Sequence, residues 1–234
     1  MHTDIVFSEQ IQKAAPGLKV LQVEARLSNP PTSDRLWQKI EQSSAWLSEN
    51  FKIEDIKDRP AIAATRAAYK ALGKDPNRYR PSAEALCRRV LNGKGLYRLT
   101  TLVDIINLIS IDTGYSIGGF DADKIVGDTL TLSVGVENEP FEAIGRGQLN
   151  IGGLPVYRDE EGPIGTPTSD VERTKLTENT TNLLMLVNMY GPDEGNDNNN
   201  LMNYIAWALS TFASAYMLGF TIRPCTLLSA EKAD

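Results

Sequence analysis

Residues 99–111 (LTTLVDIINLISI) are apolar around nearly the whole circumference of a helix. A helix with no solvent-facing side must be packed from several directions, so the rest of the chain has to supply layers around it. Its polar exceptions, Asp104, Asn107 and Ser110, recur every third residue and form one stripe. On a buried helix such a stripe must hydrogen-bond, either in a structural network or into a pocket. Thr101 and Asp104 have the spacing of a variant capping box at its start.

The elements on either side follow from pattern. The opening reads as a short helix, followed by a strand at Leu18 to Ala25 whose apolar positions partly alternate. After the Asn29-Pro30-Pro31 loop, Ser33 or Asp34 can cap a helix with Leu36, Ile40, Leu47 and Phe51 on one face. A helix from Pro60 to a stop at Gly73 places Arg66 on the same face as Ile62 and Tyr69, and an inward arginine must be paired or reach a site. The next runs from Pro81-Ser82 to Gly93, with Leu86 and Val90 inside and Arg88 and Arg89 on its flanks. From Tyr115 strand and turn signals dominate. Thr129 to Val136 alternates strictly, and Leu183 to Val187 is a continuous apolar run fit for a central strand. Gly191 to Asn200 is polar loop, with Asn200 able to cap a buried helix over Leu201 to Phe220. Thr221 to Leu228 is expected as an edge strand. Helices first, then β-rich sequence, then a last helix and strand define an α+β fold, read as one domain over residues 1–234.

Charge is segregated along the chain. Residues 66–98 hold nine Lys/Arg against two Asp/Glu, whereas residues 99–234 hold seven against nineteen. An acidic protein with a basic segment can bind a polyanion locally, because screening confines each field to a Debye length of about 8 Å; solvated helix faces would give the same pattern. Met1 to Gln12 has neither basic head nor apolar core, so no secretory leader is expected there. Cys87 and Cys225 have no metal or redox spacing, and a reducing compartment fits. No P-loop or dinucleotide fingerprint occurs. His2 is the sole histidine, which leaves serine–histidine and cysteine–histidine catalysis and a histidine-rich metal site without support.

One resemblance runs through the middle of the chain. The segments NRYRPSAEALCRRVLNGKGLYRL, VDIINLIS, GYSIGGFDADKI and VGDTLTLSVG, then FEAIG, PVYRDEEGPIG and ERTKLTENTTNLLMLV, stand in one order between Asn77 and Val187. Together they resemble the B3/B4 domain of the phenylalanyl-tRNA synthetase beta subunit, and more closely the free-standing proteins built from it. The likeness is strongest over residues 60–190, with the N-terminal strand and helix and the C-terminal helix expected to pack onto that part. The resemblance implies a mixed or antiparallel, partly barrel-like sheet flanked by helices. It also implies binding of the aminoacylated 3′ end of tRNA and hydrolysis of mischarged tRNA. The family's domain removes tyrosine from phenylalanine tRNA by a second sieve, hydrogen-bonding a hydroxyl that phenylalanine lacks; sites of that kind discriminate by about 10⁴–10⁵.

Carried over residue by residue, the Asp-x-x-Asn helix falls on Asp104 and Asn107, and the Phe-Asp after the site turn on Phe120 and Asp121. Where the synthetase domain has a histidine this chain has Gly118, and its hydroxyl-reading acid falls near Leu186. Residues Gly165 to Asp170 correspond to a Gly-rich turn. The resemblance therefore implies catalysis by Asp121 with backbone N–H groups of Gly118 and Gly119, and no histidine base. Substrate contacts are expected from Asp104, Asn107, Ser116, Thr166, Thr168, Asp170 and Arg173, in a cleft between the 104–110 helix, Tyr115 to Asp121 and Gly165 to Arg173. Phosphate contacts are expected from Arg78, Arg80, Arg88, Arg89 and Arg98. No metal, cofactor, membrane or DNA is called for, and the location is expected to be cytoplasmic. Two functions compete: clearance of mischarged tRNA in trans, or a non-catalytic module that keeps the cleft to hold RNA or an amino acid. A complete synthetase is excluded, since that enzyme's catalytic module is built from other domains.

Overall fold

Three apolar clusters organise the chain into layers, and a computed structural model describes residues 3–191 and 198–225. The N-terminal part comprises β1 (Asp4–Phe7), α1 (Glu9–Ala14), β2 (Lys19–Arg26), α2 (Asp34–Asn50), α3 (Pro60–Ala71), α4 (Ser82–Leu91) and α5 (Thr101–Thr113). Then come β3 (Ser116–Asp121), β4 (Thr129–Val134), β5 (Glu142–Ala143), β6 (Gly147–Gln148), β7 (Pro155–Arg158), β8 (Pro163–Gly165) and β9 (Asn182–Met189). The last described elements are α6 (Asn198–Phe212) and β10 (Met217–Pro224). His2 and residues 226–228 of the expected last strand lie outside the described residues, as does most of the expected Gly191 to Asn200 loop.

One four-stranded sheet has the order β1-β4-β7-β8, with β1 and β4 parallel and the rest antiparallel. A second, antiparallel throughout, has the order β10-β2-β9-β3, and β5 and β6 form a separate ribbon. The architecture is α+β with mixed and antiparallel sheets that do not close into a barrel among the described residues. Strand β9 sits inside the second sheet and is buried on both faces. Leu184 and Leu186 point to the cluster shared with the first sheet, while Leu183, Met185 and Val187 point to the helices. That double burial is why its sequence is an uninterrupted apolar run.

Helix α5 packs against this sheet and against its helical neighbours, so its apolar circumference is accounted for. It ends at Gly114, whose φ of 82° lets its N–H reach the Ser110 carbonyl at 2.9 Å, a left-handed closure that other residues resist. Buried Arg59 donates to the Ile111 and Asp112 carbonyls, each at 2.8 Å, and so places a cation on the same helix end, where the dipole favours it. Ser33 caps α2 by accepting from the Leu36 N–H at 3.2 Å.

Several expectations are corrected. A strand, β1, precedes the opening helix; four residues paired in parallel to a distant strand leave little local signal. The expected capping box does not form. Thr100 is the N-cap, and Asp104 instead accepts from the Leu99 N–H at 3.1 Å. Leu86 is only half buried, and Glu84 takes the inner face of α4. The apolar stretch 201–220 is not one buried helix. It breaks after Phe212, Ser214 has φ of 50°, and β10 begins at Met217. Asn200 lies within α6 rather than at its cap, and α6 buries one face only, leaving Trp207 exposed. No helix among the described residues is long and apolar enough to cross a membrane.

Candidate functional site

A cavity of about 390 Å³ opens between α5, β3 and the turn that follows β8. Its walls are mostly aliphatic: Leu86 from α4, Val103 and Ile106 from α5, Ile117 from β3, and Ile144 and Leu176 from the loops that close it. The polar groups on its lining are Thr100, Asn107, Ser110, Asp170, Lys175 and Ser82. A mainly apolar concavity with few convergent polar groups is the usual make-up of a small-ligand site.

Helix periodicity explains the α5 wall. Val103, Asn107 and Ser110 fall on the turn-by-turn stripe facing β3, with Ile106 beside them. The Asn107 amide makes no hydrogen bond to the described residues, and the buried Thr100 hydroxyl is likewise without a partner. Most buried polar groups are paired, so an amide left open on a cleft wall is a place for a ligand to bond. Gly119 supplies the floor. A Cβ there would stand 2.3 Å from the Ile106 Cδ1 and 2.9 Å from the Leu176 Cδ1, so a side chain at this position would have to push both methyls aside.

Asp170 has the most unusual environment. Part of the residue faces the cleft, yet its carboxyl is enclosed by protein and lies where a Cβ on Gly165 would come within 2.5 Å of Oδ1. Burial pushes its pKa up to about 8, against the opposing pull of a hydrogen bond donated by the Gly119 N–H. A carboxyl whose pKa is pushed up so far by burial beside a cleft is a mark of a functional site. The turn that presents it is held tightly. The Thr166 Oγ1 accepts from the Thr168 and Ser169 N–H groups at 3.1 and 3.0 Å. The Pro167 carbonyl accepts from the Ser82 N–H at 2.8 Å, and Thr168 shares a 2.9 Å hydrogen bond with the Tyr69 hydroxyl.

Of the residues expected at the site, Asn107, Gly119 and Asp170 line this cavity together. Asp104 does not. It is fully buried, bonded to the Thr32 hydroxyl and the Leu99 N–H, and burial raises its pKa against those bonds and nearby Arg98. Ser116 is buried at the start of β3, where its hydroxyl accepts from the Ala83 N–H and its carbonyl accepts from Asn188. Asp121 accepts from the Asp123 N–H and the Thr180 hydroxyl at the far end of the strand. Arg173 pairs with Asp159 at 2.7 Å. Thr166 organises its own turn, and Thr168 faces a different cavity. Gly118 and Gly119 form no turn. They lie inside β3, paired to Leu186 and Met185, and Gly118 turns towards the Phe120 ring instead of the cleft.

The basic segment is largely spoken for. Buried Glu84 binds Arg66 and Arg88 at 2.8 Å each, with Arg80 at 3.7 Å, which resolves the inward arginine. Arg89 lies over the Tyr97 ring at 3.8 Å, and Arg98 binds Asp34 and the Thr32 carbonyl. Sequence reasoning did not single out Thr100, Ile144, Lys175 or Leu176, because only the closed fold brings these segments to one wall.

Fold and cleft together define an α+β module with a ligand-sized site at the edge of a sheet. The chain belongs to the B3/4 domain family, whose model matches residues 64–203. Over 97 residues it is 38% identical to the phenylalanine–tRNA ligase beta subunit of Bartonella henselae, covering 41% of this chain and 12% of that protein. Over 104 residues it is 31% identical to the same subunit of Rhodospirillum rubrum, covering 44% and 13%. The chain thus spans only a small part of the length of these relatives. An N-terminal fragment of the phenylalanyl-tRNA synthetase beta subunit from Pyrococcus horikoshii aligns over 95% of this chain and 51% of that one, at 16% identity and a TM-score of 0.46.

Proposed function

We propose that this chain binds the aminoacylated 3′ end of tRNA and hydrolyses the ester of a mischarged amino acid, acting apart from a synthetase. The observation that carries the reading is the pairing, in one aliphatic cleft, of an unpartnered Asn107 amide with the enclosed carboxyl of Asp170. The related subunits from Bartonella and Rhodospirillum, named for charging phenylalanine tRNA, supply the substrate class.

The chemistry follows from that geometry. The aliphatic walls receive the amino-acid side chain, and Asn107 orients the ester. In its ionised form Asp170 takes a proton from water as the water oxygen attacks the ester carbonyl. The C–O bond to the ribose then breaks, and the proton returns from Asp170 to the departing ribose oxygen. A base works best when its pKa lies near the working pH, and such groups typically contribute 10²–10⁴-fold. The role assigned to Asp121 from the family pattern passes to Asp170, because Asp121 is outside the cleft.

Single-turnover deacylation of a panel of mischarged tRNAs by the purified chain is the direct test. Asn107→Leu is expected to weaken half-saturation by about tenfold, the worth of roughly one hydrogen bond. A second reading, a non-catalytic module that holds RNA or an amino acid, is favoured by one observation: the Gly119 N–H is taken by Asp170 and is not free to bind an oxyanion. Binding without hydrolysis on every tRNA of the panel would establish that reading in place of the first.

A further inference from the structure

The turn that presents Asp170 to the cleft presents Thr168 to a second cavity of about 360 Å³. This one is lined by Arg78, Tyr79 and Arg80 before α4, by Arg146 and Leu149 around the β5–β6 ribbon, and by Thr168. Among the described residues no carboxylate stands on its lining. The nearby Glu84 offers one negative charge to Arg66, Arg80 and Arg88 together, and Arg80, the most exposed of them, is held most loosely, by Glu84 at 3.7 Å and by a 3.5 Å hydrogen bond to the Asn77 carbonyl. Asp75, the other acid of this segment, accepts from the Asn77 N–H. Arg78 is exposed, with its guanidinium 5.6 Å from the Tyr79 ring centroid, and among the described residues neither it nor the Arg146 side chain has an ion-pair partner. Lys74 adds a further cation behind the Tyr79 ring, 3.8 Å from its centroid.

We infer that this cavity is a phosphate subsite, in which Arg78, Arg80 and Arg146 bind a phosphodiester of the RNA whose ester end occupies the Asp170 cleft. Guanidinium forks match phosphate oxygens. Arg146 matters most here. It comes from the acidic half of the chain and is brought to the basic segment only by the fold. The inference rests on the proposed RNA substrate, and it confines phosphate binding to one part of the basic segment, since Arg66, Arg88, Arg89 and Arg98 are engaged within the protein.

The test uses the whole chain and a labelled single-stranded RNA ending in CCA, with affinity followed between about 50 and 200 mM salt. Arg146→Glu is expected to weaken binding about tenfold at low salt and to flatten the log–log slope by about 0.7, one phosphate's share in a single strand. Arg146→Lys should keep most of that slope. The same charge reversal at Lys57, exposed on the turn before α3, controls for bulk charge and is expected to change little. Equal affinity and slope in wild type and Arg146→Glu would overturn the inference. Adenosine monophosphate, titrated separately, distinguishes the source of the phosphate. Arg146-dependent binding of the nucleotide without binding of the RNA would keep the phosphate site and remove the RNA reading of the protein. Binding of neither probe would overturn the site itself, while the deacylation panel would still judge the proposed reaction on its own.

Discussion

Replacing Asp170 with Asn is expected to lower single-turnover deacylation by about 10²–10⁴, the contribution of a positioned base. In the wild type the rate should rise with pH and level off above about 8, where the carboxyl is ionised. In the variant it should be slow and nearly flat across that range. A variant that keeps the wild-type rate would remove Asp170 from the reaction. The same substitution carries a stability signature of opposite sense. Folding raises the pKa of this carboxyl from its ordinary value of about 3.9, so between the two values the folded chain holds a proton that the unfolded chain has released. Stability from this group is therefore full at low pH and is lost as pH rises towards about 8. Asn keeps the shape of the protonated form and carries no such loss. At high pH the variant should melt above the wild type by an amount on the order of 5 kcal/mol, about 10–20 °C for a chain of this size. At pH about 4 the two should coincide. A group that weakens the fold where it works marks a site kept for function.

Glu84→Ala is expected to destabilise the chain by about 3–5 kcal/mol, the usual result of removing one partner from a buried ionic cluster. Glu84 is fully buried, and the Arg66 side chain, 11% exposed, would be left without its carboxylate. The Pro76 carbonyl and the Asn77 side chain would still accept from Arg66, but they carry no charge to balance it. Glu84→Gln, which retains the shape and an acceptor, should fall between the two. Thermal unfolding measures the effect, with roughly a 10 °C drop expected for the alanine variant. A change below about 1 kcal/mol would mean that the arginines swing out to solvent and that the cluster holds little of the fold together.

What sequence could tell followed the range of the forces involved. Helix α5 was legible because an apolar circumference has one physical outcome, and β9 because double burial leaves the same continuous run in the residues. Strand β1 is short and paired to a partner far along the chain, and β5 and β6 have only two residues each, so no local period betrays them. The 201–220 stretch carries no local sign of its break because helix and strand residues there are equally apolar; a left-handed Ser214 divides them. At the cleft, the polar stripe drew attention to Asn107, whereas Asp104 on the same stripe turned to a structural bond with Thr32. The enclosure of the Asp170 carboxyl had no signature at all, since it depends on Gly165 and β3 meeting in space. Arg146 was hidden for the same reason, as a lone cation among acids until the ribbon carries it to Arg78 and Arg80.

Strand β2 lies between β10 and β9, and both neighbours come from far later in the chain. On a ribosome, residues 19–26 emerge first and must wait for residues 182–189 and then 217–224 before either edge is covered. At elongation rates of about 5–20 residues per second that wait is many seconds, long against the elementary steps of folding. An apolar strand with two open edges is a template for wrong partners during all of it. Non-local pairing also makes the final closure slow once the partners exist. A translation stall within the last strands would therefore yield an adhesive nascent chain and not a partly working one, and demand on chaperones is built into the strand order itself.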